Sequence, residues 1–252
     1  MRTRASWRQL GFWYSLGVCI LKPFIWTTMK RDWRGMEHVP PTGGVILAAN
    51  HISRVDPIAL ADFFVSGVGR PARFLAKSSM FEGRGLVAHV MRGAKQIRVH
   101  RQTDDASLAL RDAVKALRDG EAIGIYPEGT VSRDPHKWPM VGKTGVARLA
   151  LLSGAPVIPI AQWGAQEMLD SYRTKGFHPF PRHTMHIVAG PPVDLTAYAG
   201  KGLTTDVLRA ATEDVMAAIT ALLEPIRGER APAVMHDPKT TTSSATDSRE
   251  TA

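Results

Sequence analysis

Three short runs of this chain are apolar without alternation: Gly43–Asn50 (GGVILAAN), Ala122–Tyr126 (AIGIY) and Val157–Gln162 (VIPIAQ). A strand with one wet face alternates apolar and polar residues, so runs of this kind are expected to be strands buried on both faces. Such strands need covering layers, and the intervening segments supply helical periods. In Thr103–Asp119, residues Ala106, Leu110, Ala113, Val114 and Leu117 recur at helical spacing, Thr103 to Asp105 offer caps and Gly120 ends the period. Pro57–Ser66 reads as a helix with proline at its first position. Thr144–Leu152 is a short helix stopped by Gly154, and Thr204–Leu223 is amphipathic. Further strands are expected at Arg73–Lys77 and His183–Ala189. Strands alternating with helices predict an α/β domain with helices on both faces of a sheet. Chemistry in such domains sits on the loops at strand ends.

The ends of the chain read differently. Leu10–Leu21 is uncharged (LGFWYSLGVCIL), but Lys22 and Pro23 interrupt it before about 20 apolar residues accumulate, the length a spanning helix needs. Arg2, Arg4 and Arg8 precede it, and Lys30, Arg31 and Arg34 follow. Trp7, Trp13, Tyr14, Trp26 and Trp33 suit a headgroup boundary, so residues 1–33 are expected to form a basic aromatic membrane-association segment around an interfacial helix, with an ordinary core helix as the alternative. Residues 34–227 form the globular part. From Gly228 the chain is rich in Thr, Ser and charge without apolar period, so 228–252 is expected to be a disordered tail. The net charge of +9 points to an anionic partner: a phosphorylated substrate, an acidic membrane surface or nucleic acid. The cations are spread over several elements, which disfavours nucleic acid. A single cysteine, Cys19, leaves no disulfide framework and no cysteine zinc site.

The sharpest local signal is Asn50-His51-Ile52-Ser53-Arg54-Val55-Asp56-Pro57. A neutral histidine is suited to take a proton from an alcohol, and a carboxylate on its far nitrogen would hold the tautomer and stabilise the imidazolium. Five positions apart on a helix, the two side chains would diverge by about 140°. They can meet only across a strand-to-helix turn. The alternative is that Asp56 caps the helix and His51 is a polar loop residue. Three further segments bear on this choice. Tyr126-Pro127-Glu128-Gly129-Thr130-Val131-Ser132 follows a strand, and amides near Gly129 are candidates to hold a phosphate or an oxyanion, whereas a plain turn is the alternative. Gly93 to Arg101 (GAKQIRVHR) gathers cations beside a short strand, and Arg98 and Arg101 are candidates for bidentate phosphate contacts, against the alternative of a solvated basic edge. Lys143-Thr144-Gly145 opens a helix and offers another phosphate contact. Val157–Ile160 is either an acyl path or core.

In order, Asn-His-x4-Asp, the Ile-x-Val-x-Arg stretch, Pro-Glu-Gly-Thr-x-Ser and Val-Ile-Pro-Ile resemble the lysophosphatidic acid acyltransferase family (1-acyl-sn-glycerol-3-phosphate O-acyltransferases) over about residues 43–160. The resemblance implies a glycerolipid-acyltransferase fold, α/β with a central mixed, mainly parallel sheet flanked by helices. It implies His51 as general base and Asp56 as its orienting partner. It implies Arg101 as the phosphate-binding arginine, helped by Lys77, Arg98 or Lys143, and Glu128, Gly129, Thr130 and Ser132 as the acceptor-binding loop. The implied reaction transfers a fatty acyl group from acyl-CoA or acyl-carrier protein to a lysophospholipid. No metal or cofactor is implied. The expected location is the cytoplasmic face of the cell membrane, monotopic or peripheral. Val131 stands where the family usually carries arginine, so one expected phosphate contact is missing: either Lys95 or Arg98 compensates, or the acceptor is a lyso-lipid other than lysophosphatidic acid. The alternative from another class is a non-catalytic basic protein that binds membrane or nucleic acid.

Overall fold

The computed structural model describes residues 11–99, 105–172 and 176–238. Seven strands, β1 (Met29–Arg34), β2 (Val45–Ala49), β3 (Ala72–Lys77), β4 (Ile97–Val99), β5 (Ala122–Ile125), β6 (Val157–Trp163) and β7 (His183–Ala189), form one sheet in the order β1-β7-β6-β2-β5-β3-β4. Every neighbouring pair is parallel except β6 with β7. The sheet is therefore mixed and mainly parallel, as expected.

The central strand β2 shows why its run is apolar throughout. Val45, Leu47 and Ala49 belong to one buried cluster, with Phe63, Phe64 and Ile158, whereas Ile46 and Ala48 belong to a second, with Ala113, Ile123 and Val215. Successive strand residues point to opposite faces, and both faces are covered. Full burial of each Val, Leu or Ile contributes about 1.5–3 kcal/mol, so a charge on either face would oppose the fold strongly. The first face is covered by α1 (Phe12–Thr28) and α2 (Asp56–Asp62), the latter extended by a π-helical turn, Phe63–Val68. The second is covered by α4 (Asp105–Arg118), α5 (Gly145–Ser153) and α7 (Thr205–Arg227). The short helices α3 (Leu86–Gly93) and α6 (Ala165–Met168) complete the set. The expected helix over 57–66 thus begins at Asp56 and changes pitch at Phe63. Helix α3 carried no expectation, because its apolar face is short.

Both chain ends depart from the expected boundaries. The last residues of the expected 1–33 segment belong to the sheet: Met29–Arg34 joins its edge, paired with β7 from Met29↔His183 to Arg34↔Val188. An edge strand keeps one side in water, which is why MKRDWR carries charges that a central strand could not. Arg31 there makes a bidentate pair with Asp62 at 2.8 and 2.9 Å. Helix α1 buries only Ile25 and Thr28 and exposes Phe12, Ile20 and Trp26. Among the described residues no helix is long and apolar enough to cross a membrane. At the other end Gly228 terminates α7, but the chain then returns along the domain. The Ala231 amide donates to Glu224 Oε1, the Val141 amide donates to the His236 carbonyl, and Ala231 and Met235 pack on the apolar clusters. The start of the tail at 228 is thereby corrected: Ala231 and Met235, at the two ends of a short apolar run, help to fasten residues up to 238.

Candidate active site

Because β2, β3, β4, β5 and β6 run parallel, their carboxyl ends share one edge of the sheet. His51 follows β2 there, and α2 begins five residues later. The turn between them folds back. His51 Nδ1 lies 2.9 Å from Asp56 Oδ2, and the same oxygen accepts the amides of Ile52 and Ser53 at 2.6 and 2.8 Å. Helix α2 has Val55 at its N-cap and no side-chain cap. The Asp56 carboxylate therefore does not serve as a forward helix cap. It points back into the turn, where it receives the imidazole. Asp56 is fully buried, whereas the His51 side chain keeps 15% of its surface exposed. With Nδ1 committed to a carboxylate, the neutral imidazole carries its proton there and keeps its lone pair on Nε2.

Two loops and the end of β6 clamp this turn. The His51 amide donates to Glu128 Oε1 at 2.9 Å, and the His51 carbonyl accepts the Ser132 amide at 2.6 Å. Asn50 exchanges three hydrogen bonds with Gln162: Nδ2 to the Gln162 carbonyl, Oδ1 from the Gln162 amide, and the Asn50 carbonyl from Gln162 Nε2. Ser53 Oγ donates to the Leu169 carbonyl. Imidazole and Tyr126 rings stack at 4.2 Å with 20° between planes. Burial pushes the Tyr126 phenol well above its usual range, and the Asp56 charge adds to this.

The Pro-Glu-Gly-Thr loop divides into residues that face the site and residues that build it. Glu128 is buried. Its Oε1 accepts from His51 and its Oε2 from the Met140 amide at 3.1 Å, so both oxygens fasten backbone and neither is offered to an acceptor hydroxyl. Burial pushes its carboxyl up to about 8, and the two amides pull the other way. Ser132 is buried as well, donating to the Trp138 carbonyl and accepting from the Asp134 amide. These two expected substrate contacts are thus positioned as supports, because a parallel strand end buries the first residues that leave it. The Gly129 amide is not free either, since it donates to the Tyr126 carbonyl. What Gly129 supplies is a positive φ of 71° and an open face crossed by the Lys143 side chain, whose Cδ, Cε and Nζ stand 3.1 Å from where a Cβ would project. Thr130 is partly exposed and Lys143 exposed. Val131 turns its side chain inward, 8% exposed, and its carbonyl accepts the Tyr172 hydroxyl.

Among the remaining cations, Lys77 stands at the carboxyl end of β3, on the edge that carries His51, whereas Lys95 precedes β4 at the opposite edge. Lys77 ends β3 and Arg98 lies on β4, where Ala76↔Arg98 and Lys77↔Val99 are in register; both side chains are exposed. The Arg98 guanidinium lies 5.2 Å over the Phe81 ring. Lys95 adopts a positive φ of 53° in the turn before β4. Arg101 lies outside the described residues. Val157, Ile158 and Ile160 are buried in the sheet as core. Sequence reasoning passed over Tyr126, Asn50 and Gln162 as strand ends. The available signal was a polar or amphipathic residue closing each apolar run.

Comparison with known proteins bears on this geometry. A family model described as Acyltransferase matches residues 30–163. A 1-acyl-sn-glycerol-3-phosphate acyltransferase of Borreliella burgdorferi is 33% identical over 127 residues, covering 50% of this chain and 48% of that protein. One of Bacillus subtilis is 26% identical over 166 residues, covering 65% and 73%. The chain thus spans about half the length of the first relative. The crystal structure of the 1-acyl-sn-glycerophosphate (LPA) acyltransferase PlsC from Thermotoga maritima superposes with a TM-score of 0.63 at 22% identity, over 84% of this chain and 78% of that one. At that identity the likeness speaks to the fold.

Proposed function

This chain belongs to the acyltransferase family, and we propose that it transfers a fatty acyl group from acyl-CoA or acyl-carrier protein to the free sn-2 hydroxyl of lysophosphatidic acid, giving phosphatidic acid in phospholipid biosynthesis. The observation that carries the proposal is the 2.9 Å contact of His51 Nδ1 with a buried carboxylate, which in the neutral imidazole makes Nε2 the basic nitrogen. The acceptor phosphate docks on Arg101, with help from Lys77, Arg98 or Lys143. Its hydroxyl donates to His51 Nε2. As His51 removes that proton, the oxygen attacks the thioester carbonyl, forming the C–O bond. The imidazolium is stabilised by Asp56. Collapse breaks the C–S bond, and the proton on His51 neutralises the departing thiolate. No covalent acyl-enzyme is required. The enzyme works at the cytoplasmic face of the cell membrane, with the exposed Phe12, Ile20 and Trp26 of α1 in the lipid interface and the +9 net charge drawn to anionic headgroups.

One observation favours a second acceptor. The inward Val131 supplies no cation where the family usually has arginine, so an amino-acid-derived lyso-lipid with a weaker phosphate requirement is the alternative. The deciding experiment is mass spectrometry of products from a labelled acyl-CoA, or acyl-carrier protein, offered a panel of lyso-lipids. Phosphatidic acid as the main product supports the first reading. Acylation of other lyso-lipids only, or of none, overturns it. Cosedimentation with anionic liposomes but not duplex DNA is the companion outcome.

A further inference from the structure

We infer that Tyr126 is a positioning residue for the His51–Asp56 pair, its ring setting the plane of the imidazole and its hydroxyl serving the buried acceptors behind it. The inference rests on the acyl-transfer reading above.

Tyr126 comes one residue after the Ala48↔Ile125 pair of β2 and β5, so strand register brings it beside the start of the His51 turn. The single contact at Nδ1 leaves the imidazole free to tilt. A ring stacked at 4.2 Å and 20° confines that tilt, and with it the direction of Nε2. The same aromatic face favours the positive charge that His51 acquires when it takes a proton.

The hydroxyl end is equally specific. Three buried polar atoms in this region have no hydrogen-bond partner: Tyr126 Oη, Asp56 Oδ1 and Gln162 Oε1. One is a donor and two are acceptors, so they are chemically complementary. Gln162 cannot turn its amide over, because its Nε2 donates to the Asn50 carbonyl at 2.6 Å. Its oxygen therefore stays an acceptor. Burial raises the phenol's pKa most; the Asp56 charge raises it further, and the Gln162 side chain, acting as a hydrogen-bonding group, lowers it. Donated to Asp56 Oδ1, the hydroxyl proton fastens the carboxylate that holds His51; donated to Gln162 Oε1, it fastens the Asn50–Gln162 clamp. Buried donors and acceptors left unserved are costly, so the hydroxyl has a strong reason to close one of these contacts when substrate covers the site.

The test is steady-state kinetics of the full chain as wild type, Tyr126→Phe, Tyr126→Leu and His51→Ala, with circular dichroism to verify folding. Tyr126→Phe keeps the ring and loses the hydroxyl, and is expected to lower kcat about tenfold with both KM values unchanged. Tyr126→Leu loses the stacking face as well, and is expected to lower kcat about a hundredfold. A volume-filling role would not separate Phe from Leu in kcat while sparing KM. Wild-type kcat in Tyr126→Phe overturns the hydroxyl role, and equal kcat in Phe and Leu variants overturns the stacking role. Should Tyr126→Leu fail to fold, Tyr126→Trp, which keeps an aromatic face, replaces it, and a kcat below that of Tyr126→Phe with unchanged KM overturns the stacking role. His51→Ala is the separate control: if it retains turnover, the acyl-transfer reading itself is wrong, whereas an inactive His51→Ala beside fully active Tyr126 variants removes only this inference.

Discussion

His51 Nδ1 and Asp56 Oδ2 stand 2.9 Å apart across a strand-to-helix turn, and that oxygen also holds the Ile52 and Ser53 amides. One carboxylate thus shapes the turn and holds the imidazole together. Asp56→Asn preserves shape but removes the charge opposite the imidazolium. It is expected to lower kcat by about 10²–10⁴ with KM little changed. Rapid-quench or steady-state acyl transfer measures this, and a variant within threefold of wild type would count against the pair.

Lys77 and Arg98 offer two exposed charges on neighbouring strands. Lys77→Ala and Arg98→Ala are each expected to raise the acceptor KM about tenfold and leave kcat alone. Titrating acceptor at saturating donor gives the answer. A fall confined to kcat would argue that neither binds phosphate.

Gly129 has a φ of 71° and Lys143 across its open face. Gly129→Ala carries a left-handed penalty of about 1–2 kcal/mol and displaces the lysine stem. Thermal melting is expected to fall by about 2–8 °C, with the acceptor KM rising. An unchanged Tm and KM would show the loop to be indifferent to this glycine.

Glu128 is the titrating support of the loop. Its folded pKa, about 8, lies above its ordinary 4.5. Between those values the folded chain binds more protons than the unfolded one. The contribution is therefore fully present below 4.5 and is lost as pH rises through about 8. Urea midpoints are expected to decline across this window in wild type, with that decline removed in Glu128→Gln. Identical pH slopes in the two proteins would refute the assignment.

Much of the fold was legible because its signals are local. The all-apolar VILAA run demands cover on both faces, and the i, i+3, i+4 recurrence in Asp105–Arg118 supplies part of it. Met29–Arg34 was missed as a strand because an edge strand has no need of an apolar run. The Met235 anchor was missed because the short run Ala231–Met235, with a proline inside it, has no helical or strand period.

For the site, the residue types and their order along the chain were determined by the sequence: His51 and Asp56 at a spacing that only a turn can reconcile, then Glu128, Gly129 and Lys143. Their division of labour was decided by the tertiary structure. Glu128 meets the His51 amide across 77 positions and Asn50 meets Gln162 across 112. Parallel strands joined by crossover helices bring distant strand ends to one edge, and the register among them determines which side chains face solvent. Local spacing carries no information about that register. So Glu128 and Ser132 became buried supports, Val131 turned inward, and the Tyr126 ring came to lie on the histidine.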